Sequence, residues 1–431
     1  VNVKVSEIFD ALLENLKVGA ASATIAMRRD EITKALNKDF RAVEGSTANR
    51  LMVGSYGRNT AIRGVSDLDM IFILPASLRS TYDTETGPRR ALTRVKDALK
   101  ARYPNTDIRV DQCVVRVQFT SNKFKFEVQP AFENADGSFD YPDTKSKSWK
   151  TTKPRDEIAA TKECNDRTSR NMRHLARLAR AWKDTNGVVM GGLLIDTLVH
   201  GFFSNTTEYD DKGTLWFDSM VRDFFEFLMN EPDQDYYLAP GSKQHVKVKR
   251  RFQPKAKKAY NRCREAIADE GTASANKKWR EVFGTAVPLA TSESAHAFTN
   301  TEEFIENQFP VDIGRSVTID CMVTQNGWRP ALLREMLRGR SLLLPNKELD
   351  FAITGCDVQE PYEVRWKVLN RGEEAERRNN IRGQIISSSR PGVRHERTSF
   401  RGEHIVECYV IKDGIVVARD SIDVPISANA A

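Results

Sequence analysis

The chain has 431 residues, 40% of them hydrophobic and 29% charged, which suits a soluble globular protein of two or three domains with a sizeable core. Its formal charge of +7 and pI near 9.0 leave room for anionic partners, although a merely solvated basic surface gives the same figure. Six cysteines, at 113, 164, 263, 321, 356 and 408, are spaced too widely for a zinc site or a compact disulfide framework.

The apolar residues Ile8, Leu12, Leu13 and Leu16, then Ile32, Ala35 and Leu36, recur at helical spacing and predict two helices between Ser6 and Phe40. The first stretch is amphipathic and acidic, unlike a signal peptide. The most apolar segment, Gly187 to Phe203, is interrupted by Asp196 and His200 and is short for a bilayer span. The expectation is a cytoplasmic protein with no membrane partner.

Next comes the most informative stretch. Leu51-Met52-Val53 ends in Gly54-Ser55, a polar loop follows, and Ser66-Asp67-Leu68-Asp69 opens a second apolar run to Leu74. Two strands joined by a loop are predicted. Alternation puts Asp67 and Asp69 on one face, roughly 7 Å apart at the backbone, so both carboxylates can reach one metal. Mg²⁺ takes oxygen ligands at about 2.0–2.1 Å and is commonly held by one or two carboxylates plus substrate phosphates. The Gly54-Ser55 turn would offer backbone N–H groups and a hydroxyl to those phosphates. Taken alone, an Asp-x-Asp pair is more often a solvated turn or edge-strand feature.

A helix with Ala91, Val95 and Leu99 on one side comes next, followed by strands at Ile108–Val110, Cys113–Phe119 and Phe124–Pro130. In the last of these Phe124, Phe126 and Val128 share one face, and Lys125, Glu127 and Gln129 the other. Asn134 to Thr161 reads as loop. A helix capped near Asn165 or Asp166 runs to about Asp184, with Met172, Leu175, Ala179 and Trp182 on its buried side and Arg173, Arg177 and Arg180 on another. Leu215 to Met229 is a further amphipathic helix. Pro240 to Arg264 holds no acid and is the densest basic run, so residues 243–264 are a candidate surface for triphosphates or an activating nucleic acid, beside the plainer reading of a solvated face.

Thr291 to Asn300, rich in Ser, Thr and Ala, marks a domain boundary. Beyond it, strands are predicted at Ser316–Thr324, Leu349–Thr354, Tyr362–Leu369, His404–Ile411 and Ile415–Val424, with Lys412-Asp413-Gly414 as a hairpin turn. An immunoglobulin-like β-sandwich with Trp366 in its core fits this pattern.

Gly54-Ser55 followed by Asp67-x-Asp69 resembles the signature of the polymerase β-type nucleotidyltransferases. The string Gly54 to Asp69 most resembles the loop shared by oligoadenylate synthetase and the cGAS/DncV-like enzymes, the CD-NTases. Phe126-Glu127-Val128-Gln129-Pro130 resembles their third-carboxylate segment, with Glu127 where Asp is usual. Leu178 to Lys183 resembles the helix that sets a basic residue against the donor triphosphate, at Arg180 or, one turn on, Lys183. Leu344 to Leu349 and Gly402 to Ile405 resemble the AGS-C sensor-like domain of some CD-NTases.

The resemblance implies an α+β fold: a nucleotidyltransferase core with N-terminal spine helices (1–160), a helical nucleotide-binding lobe (161–297) and a C-terminal β-sandwich sensor domain (298–431). It implies that Asp67, Asp69 and Glu127 hold two Mg²⁺ ions, for which Mn²⁺ can substitute, and that Gly54, Ser55, Arg58 and Arg180 or Lys183 contact the nucleotide. The implied activity joins NTPs, ATP or GTP among them, into a cyclic di- or trinucleotide messenger that acts on a downstream effector in anti-phage defence. A phage-derived activator could act at the basic run or the C-terminal domain. A linear oligoadenylate synthetase and a catalytically weak nucleotide-binding regulator remain as alternatives.

Overall fold

The computed structural model describes residues 4–19, 21–119, 124–289, 302–325, 329–339, 343–345, 347–370, 383–388, 392–398 and 402–426. The chain begins with α1 (Val5–Asn15) and α2 (Ala21–Arg41), then β1 (Arg50–Met52), the single turn α3 (Gly54–Gly57) and β2 (Asp67–Ile73). The short α4 (Arg79–Tyr82) and the longer α5 (Gly87–Arg102) lead into β3 (Asp107–Val110), β4 (Val115–Gln118) and β5 (Lys125–Glu133). A hairpin of β6 (Phe139–Asp143) and β7 (Ser148–Thr152) completes a sheet of order β1-β2-β5-β4-β3, with β6 joined to β5. Only β2 and β5 pair in parallel.

The alternating pattern of β2 and β5 decides which face is covered. Leu68, Met70, Phe72, Phe126 and Val128 pack against Ile32, Leu36 and Phe40 of α2 and Ala91, Leu92, Val95 and Leu99 of α5. Asp67, Asp69, Lys125 and Glu127 are thereby left on the opposite face.

Asn134 to Thr161 is not a loop. It contains β6, β7 and the start of α6 (Pro154–Arg167). The turn residues there mark the ends of short strands: Gly137 has φ of 79° between β5 and β6, and Phe139 is fully buried. Trp149 packs on Phe132 with ring centroids 5.0 Å apart and donates its indole N–H to the Tyr82 carbonyl at 3.0 Å. Pro154 takes the first helical position, where its missing N–H costs nothing.

Helices dominate the middle of the chain: α7 (Asn171–Asn186), α8 (Gly192–Asn205), α9 (Phe217–Asn230), α10 (Gln253–Ala268) and α11 (Ala273–Phe283), with a small hairpin of β8 (Tyr236–Leu238) and β9 (His245–Lys247). The expected caps Asn165 and Asp166 lie in the last turn of α6. Asn165 nonetheless serves the next helix, because its Oδ1 accepts the Arg173 N–H at 3.3 Å while Thr168 Oγ1 accepts that of Met172 at 3.0 Å. The apolar face of α1 joins this helical cluster, with Phe9 edge-on to Phe217 and Trp279.

The last third begins with α12 (Ile305–Gln308), β10 (Val317–Thr324), β11 (Ala331–Leu332) and α13 (Leu333–Arg338). It continues with β12 (Glu348–Cys356), β13 (Glu363–Asn370), β14 (Ile385–Ser387), β15 (Val393–Arg397), β16 (Gly402–Lys412) and β17 (Ile415–Ile426). Two antiparallel four-stranded sheets result, β11-β10-β12-β15 and β14-β13-β16-β17. They share a core of Ile319, Cys321, Phe351, Trp366, Val406, Cys408 and Ile422. Of the expected immunoglobulin-like sandwich, the structure shows these two antiparallel sheets and the buried Trp366. Asp413 and Gly414 have φ of 51° and 74°, as a two-residue type I′ hairpin demands. The boundary expected at Thr291 to Asn300 lies outside the described residues. All six cysteines are free, and no described helix is long and apolar enough to cross a membrane.

Candidate active site

Sheet register assembles the acidic centre. In the parallel β2–β5 ladder Asp67 pairs with Lys125 and Asp69 with Glu127, while Arg116 of β4 pairs with Glu127 from the other side. Partners across a ladder point to the same face, so five charged side chains form a stripe over three strands. Lys125 Nζ lies 3.1 Å from Asp67 Oδ1 and 3.9 Å from Glu127 Oε1, and Arg116 Nε donates to Glu127 Oε1 at 3.1 Å. The Lys125 contact lacks hydrogen-bond geometry, and Asp67 Oδ1 accepts no hydrogen bond.

Burial raises the pKa of all three acids. Asp69 is pushed up to about 7 by burial first and then by the charges of Glu127 and Asp67, with Arg58 opposing. Asp67 and Glu127 are raised by burial ahead of their neighbours' charges. Crowded, desolvated carboxylates are the donor set that a hard divalent cation suits. With Glu127 turned to Arg116 they do not form a closed cage: among the described residues no three His, Cys, Asp or Glu side chains stand close enough to hold a metal.

The Gly54 loop is built against this stripe. Val53 N–H donates to the Asp69 carbonyl at 2.9 Å, extending the β1–β2 ladder by one rung. Gly54 then turns with φ of +62°, and a Cβ there would fall 1.9 Å from Asp69 Oδ2. Only glycine fits beneath the carboxylate. Ser55 follows Gly54 in the α3 turn, and its carbonyl accepts the N–H groups of Thr60 and Ala61 at 2.9 and 3.2 Å.

Arg58, Arg180 and Lys183, expected to contact the nucleotide, are all buried with their charged ends on protein acids. Arg58 Nε donates to Asp196 Oδ2 at 2.7 Å and Nη1 to Glu157 at 3.5 Å. Arg180 grips both oxygens of Asp196, at 2.7 and 2.9 Å, and donates to the carbonyls of Ala176 and Gly192. Thr60 Oγ1 adds a third donor to Asp196, at 3.1 Å. Burial would raise Asp196, yet the two guanidiniums outweigh it and hold its carboxyl below the ordinary range. Lys183 Nζ meets Asp184 at 3.0 Å and Asp312 and the Ile313 carbonyl at 3.1 Å.

The rest of the Arg stripe on α7 holds the same loop from behind. Arg173 donates to the Arg58 carbonyl at 3.1 Å, and Arg177 to the Asn59 carbonyl at 3.0 Å. Sequence reasoning missed Asp196 and Glu157 as the anchors of this knot. Their signal was faint: one acid inside the apolar run of α8, and one in the first turn of α6.

A Gly-Ser turn leaving edge strand β1 thus sits against the carboxylates of interior strands β2 and β5, braced by the helices behind it. Residues 3–165 match the Second Messenger Oligonucleotide or Dinucleotide Synthetase domain, and residues 299–427 the Adenylyl/Guanylyl and SMODS C-terminal sensor domain. The chain therefore carries a SMODS nucleotidyltransferase domain followed by an AGS_C sensor domain. A curated relative from Bacillus cereus (strain VD146), named probable cyclic nucleotide synthase, is 23% identical over 219 residues. That match covers 44% of this chain and 64% of the relative, so the chain spans a little under two thirds of the curated protein's length. CdnC of E. coli MS115-1, solved with ATP, is similar in fold at 15% identity and a TM-score of 0.52 over 67% of this chain and all of that one. The same protein in a complex with HORMA-deltaN gives 14% and 0.51, over 67% of this chain and 99% of that one.

Proposed function

We propose that this protein is a divalent-metal-dependent nucleotidyltransferase that joins NTPs into a cyclic oligonucleotide second messenger. The observation that carries the reading is the β2–β5 register, which sets Glu127 opposite Asp69 on the face that also holds Asp67 and the Gly54 loop. The SMODS match and the name of the curated relative support the product class, and the ATP in the CdnC structure supports the substrate.

Asp67 and Asp69 would hold Mg²⁺, with Mn²⁺ as a substitute, joined by Glu127 once its carboxylate turns from Arg116. The metal would supply Lewis-acid stabilisation of phosphoryl charge and would acidify a ribose hydroxyl. The hydroxyl oxygen forms a new bond to the α-phosphorus as the α–β bridging P–O bond breaks, releasing pyrophosphate. Gly54 N–H and the Ser55 hydroxyl steady the phosphates, while Arg58 and Arg180 act from behind by fixing the loop on Asp196. Positioning and charge neutralisation suffice for such a transfer, so no nucleophilic His or Cys is needed. A second, intramolecular attack closes the ring, and the product acts on a downstream effector in antiviral defence.

The test is incubation with each labelled NTP and Mg²⁺, followed by phosphatase treatment and mass spectrometry. A phosphatase-resistant product and pyrophosphate release, both lost in Asp67→Asn/Asp69→Asn, are expected. A nuclease-sensitive linear chain would replace the cyclic reading with oligoadenylate synthesis. ATP binding without pyrophosphate release under every activating condition would make the chain a nucleotide-binding regulator.

A further inference from the structure

The contact between the C-terminal sheets and the catalytic stripe has a polarity that opposes substrate. Residues 310–315 run alongside β17: the Val416 N–H donates to the Pro310 carbonyl at 2.9 Å, the Asp312 N–H to the Val416 carbonyl at 3.0 Å, and the N–H groups of Gly314 and Arg315 to the Val417 carbonyl. The sheet thus fixes where Asp312 stands. Its Oδ2 accepts from Ser66 Oγ at 3.0 Å, one residue before Asp67, and its Oδ1 from Lys183 Nζ at 3.1 Å.

Lys183 Nζ donates to Asp312 and the Ile313 carbonyl and lies 3.0 Å from Asp184, so its charge is already engaged by protein acids. Asp312 is ionised there, held below the usual carboxylate range by Lys183, and it is one of the charges that raise Asp67 and Asp69. Its side chain remains 43% exposed. Behind it the joint is tight: Arg419 of β17 donates to the Asp184 carbonyl at 3.3 Å, and a Cβ on Gly187 would lie 2.4 Å from the Arg419 carbonyl.

We propose that the 310–315 segment is an autoinhibitory latch in which Asp312, carried by β17, occupies Lys183 and sets a fourth carboxylate beside the catalytic acids, holding off triphosphate until the sensor sheets shift. The inference rests on the nucleotidyltransferase reading for the identity of the anion. A triphosphate arriving at this face meets negative charge from Asp312 and a lysine held by it; both the charge and that hold leave with β17, while Asp184 of α7 stays beside Lys183.

The experiment measures the affinity of full-length protein for MgATP by calorimetry, with product formation scored separately. Asp312→Asn and Asp312→Ala should bind ATP at least about fivefold more tightly than the wild type, the low end for coupled sites. Gly187→Ala, which wedges the joint without touching Asp312, should shift affinity the same way. ATP affinity unchanged or weakened in both Asp312 variants, with melting curves like the wild type, overturns the latch. Should the Asp312 variants not fold, the same outcome for Gly187→Ala overturns it. Tightened ATP binding with no product in any variant keeps the latch and removes the synthase reading.

Discussion

Asp69 sits where burial and two neighbouring acids oppose its ionisation, and this makes its titration a readout of the site. Its pKa of about 7 lies above the ordinary 3.8, so the metal-free folded protein holds a proton that the unfolded chain releases. Stability of the metal-free protein should therefore fall as pH rises from about 4 to about 7 through this group. Metal binding runs the other way: Mg²⁺ must displace that proton, so its affinity and the transfer rate should both decline as pH drops through 7. Calorimetric titration of Mg²⁺ at pH 6 and pH 8, together with melts in chelator, checks both signs. Asp69→Asn removes one crowded charge and should raise the melting temperature in chelator at pH 8. The metal contributes several kcal/mol to phosphoryl transfer, and each 1.36 kcal/mol is tenfold in rate, so turnover in that variant should fall by about 100-fold or more. Gly54→Ala must move the Asp69 carboxylate and strain a positive φ. It is expected to lose Mg²⁺-dependent product while retaining the overall fold, as far-UV circular dichroism would show.

The helix α7 does more than line a core. Its apolar side, Met172, Leu175, Ala179 and Trp182, was legible from periodicity, and these residues are buried as expected. The Arg side was legible as a stripe but not by destination, because Arg173, Arg177 and Arg180 reach partners on the Gly54 loop and on α8 that periodicity does not reveal. Asp196 carries the weight of this knot. Asp196→Ala would leave Arg180 buried without a counter-ion and Arg58 with Glu157 alone at 3.5 Å, at a cost of about 3–5 kcal/mol. Chemical denaturation should show that loss, and hydrogen exchange at residues 54–60 should rise with it. The β6–β7 hairpin escaped notice for the opposite reason: its strands are short and polar, with Phe139 and Trp149 as their large packing residues.

At the scale of the molecule, the basic run 243–264 faces the C-terminal sheets over part of its length. Lys249 Nζ donates to the Gly314 carbonyl at 3.4 Å, Lys258 lies 3.6 Å from Asp423, and the charge of Asp420 acts on Lys255. Other members are paired within the helical region, Arg251 with Asp233 and Arg262 with Glu265 and Glu281. Composition could show a run of positive charge but not that Lys258 and Lys255 lie toward Asp423 and Asp420 of β17. Lys258 and Asp423 are both well exposed, so their pair is worth little alone. Lys255→Glu sets a like charge near Asp420 and should speed hydrogen exchange in β17 and in residues 310–316, with the catalytic sheet unchanged.

What the sequence by itself determined was local: the Gly-Ser turn before an Asp-x-Asp strand, the alternation that gives Glu127 an uncovered face, the helices with one apolar side and the Asp413-Gly414 hairpin. Each follows from backbone periodicity or turn chemistry within about twenty residues. What only the tertiary structure decided was pairing at a distance: the rung that sets Glu127 against Asp69, the carboxylates that claim Arg58, Arg180 and Lys183, and the arrival of Asp312 at Ser66. Apart from Asp184 beside Lys183, those contacts join residues from 16 to 246 positions apart. Their partners are chosen by how sheets and helices pack, and no period or motif in the chain encodes that choice.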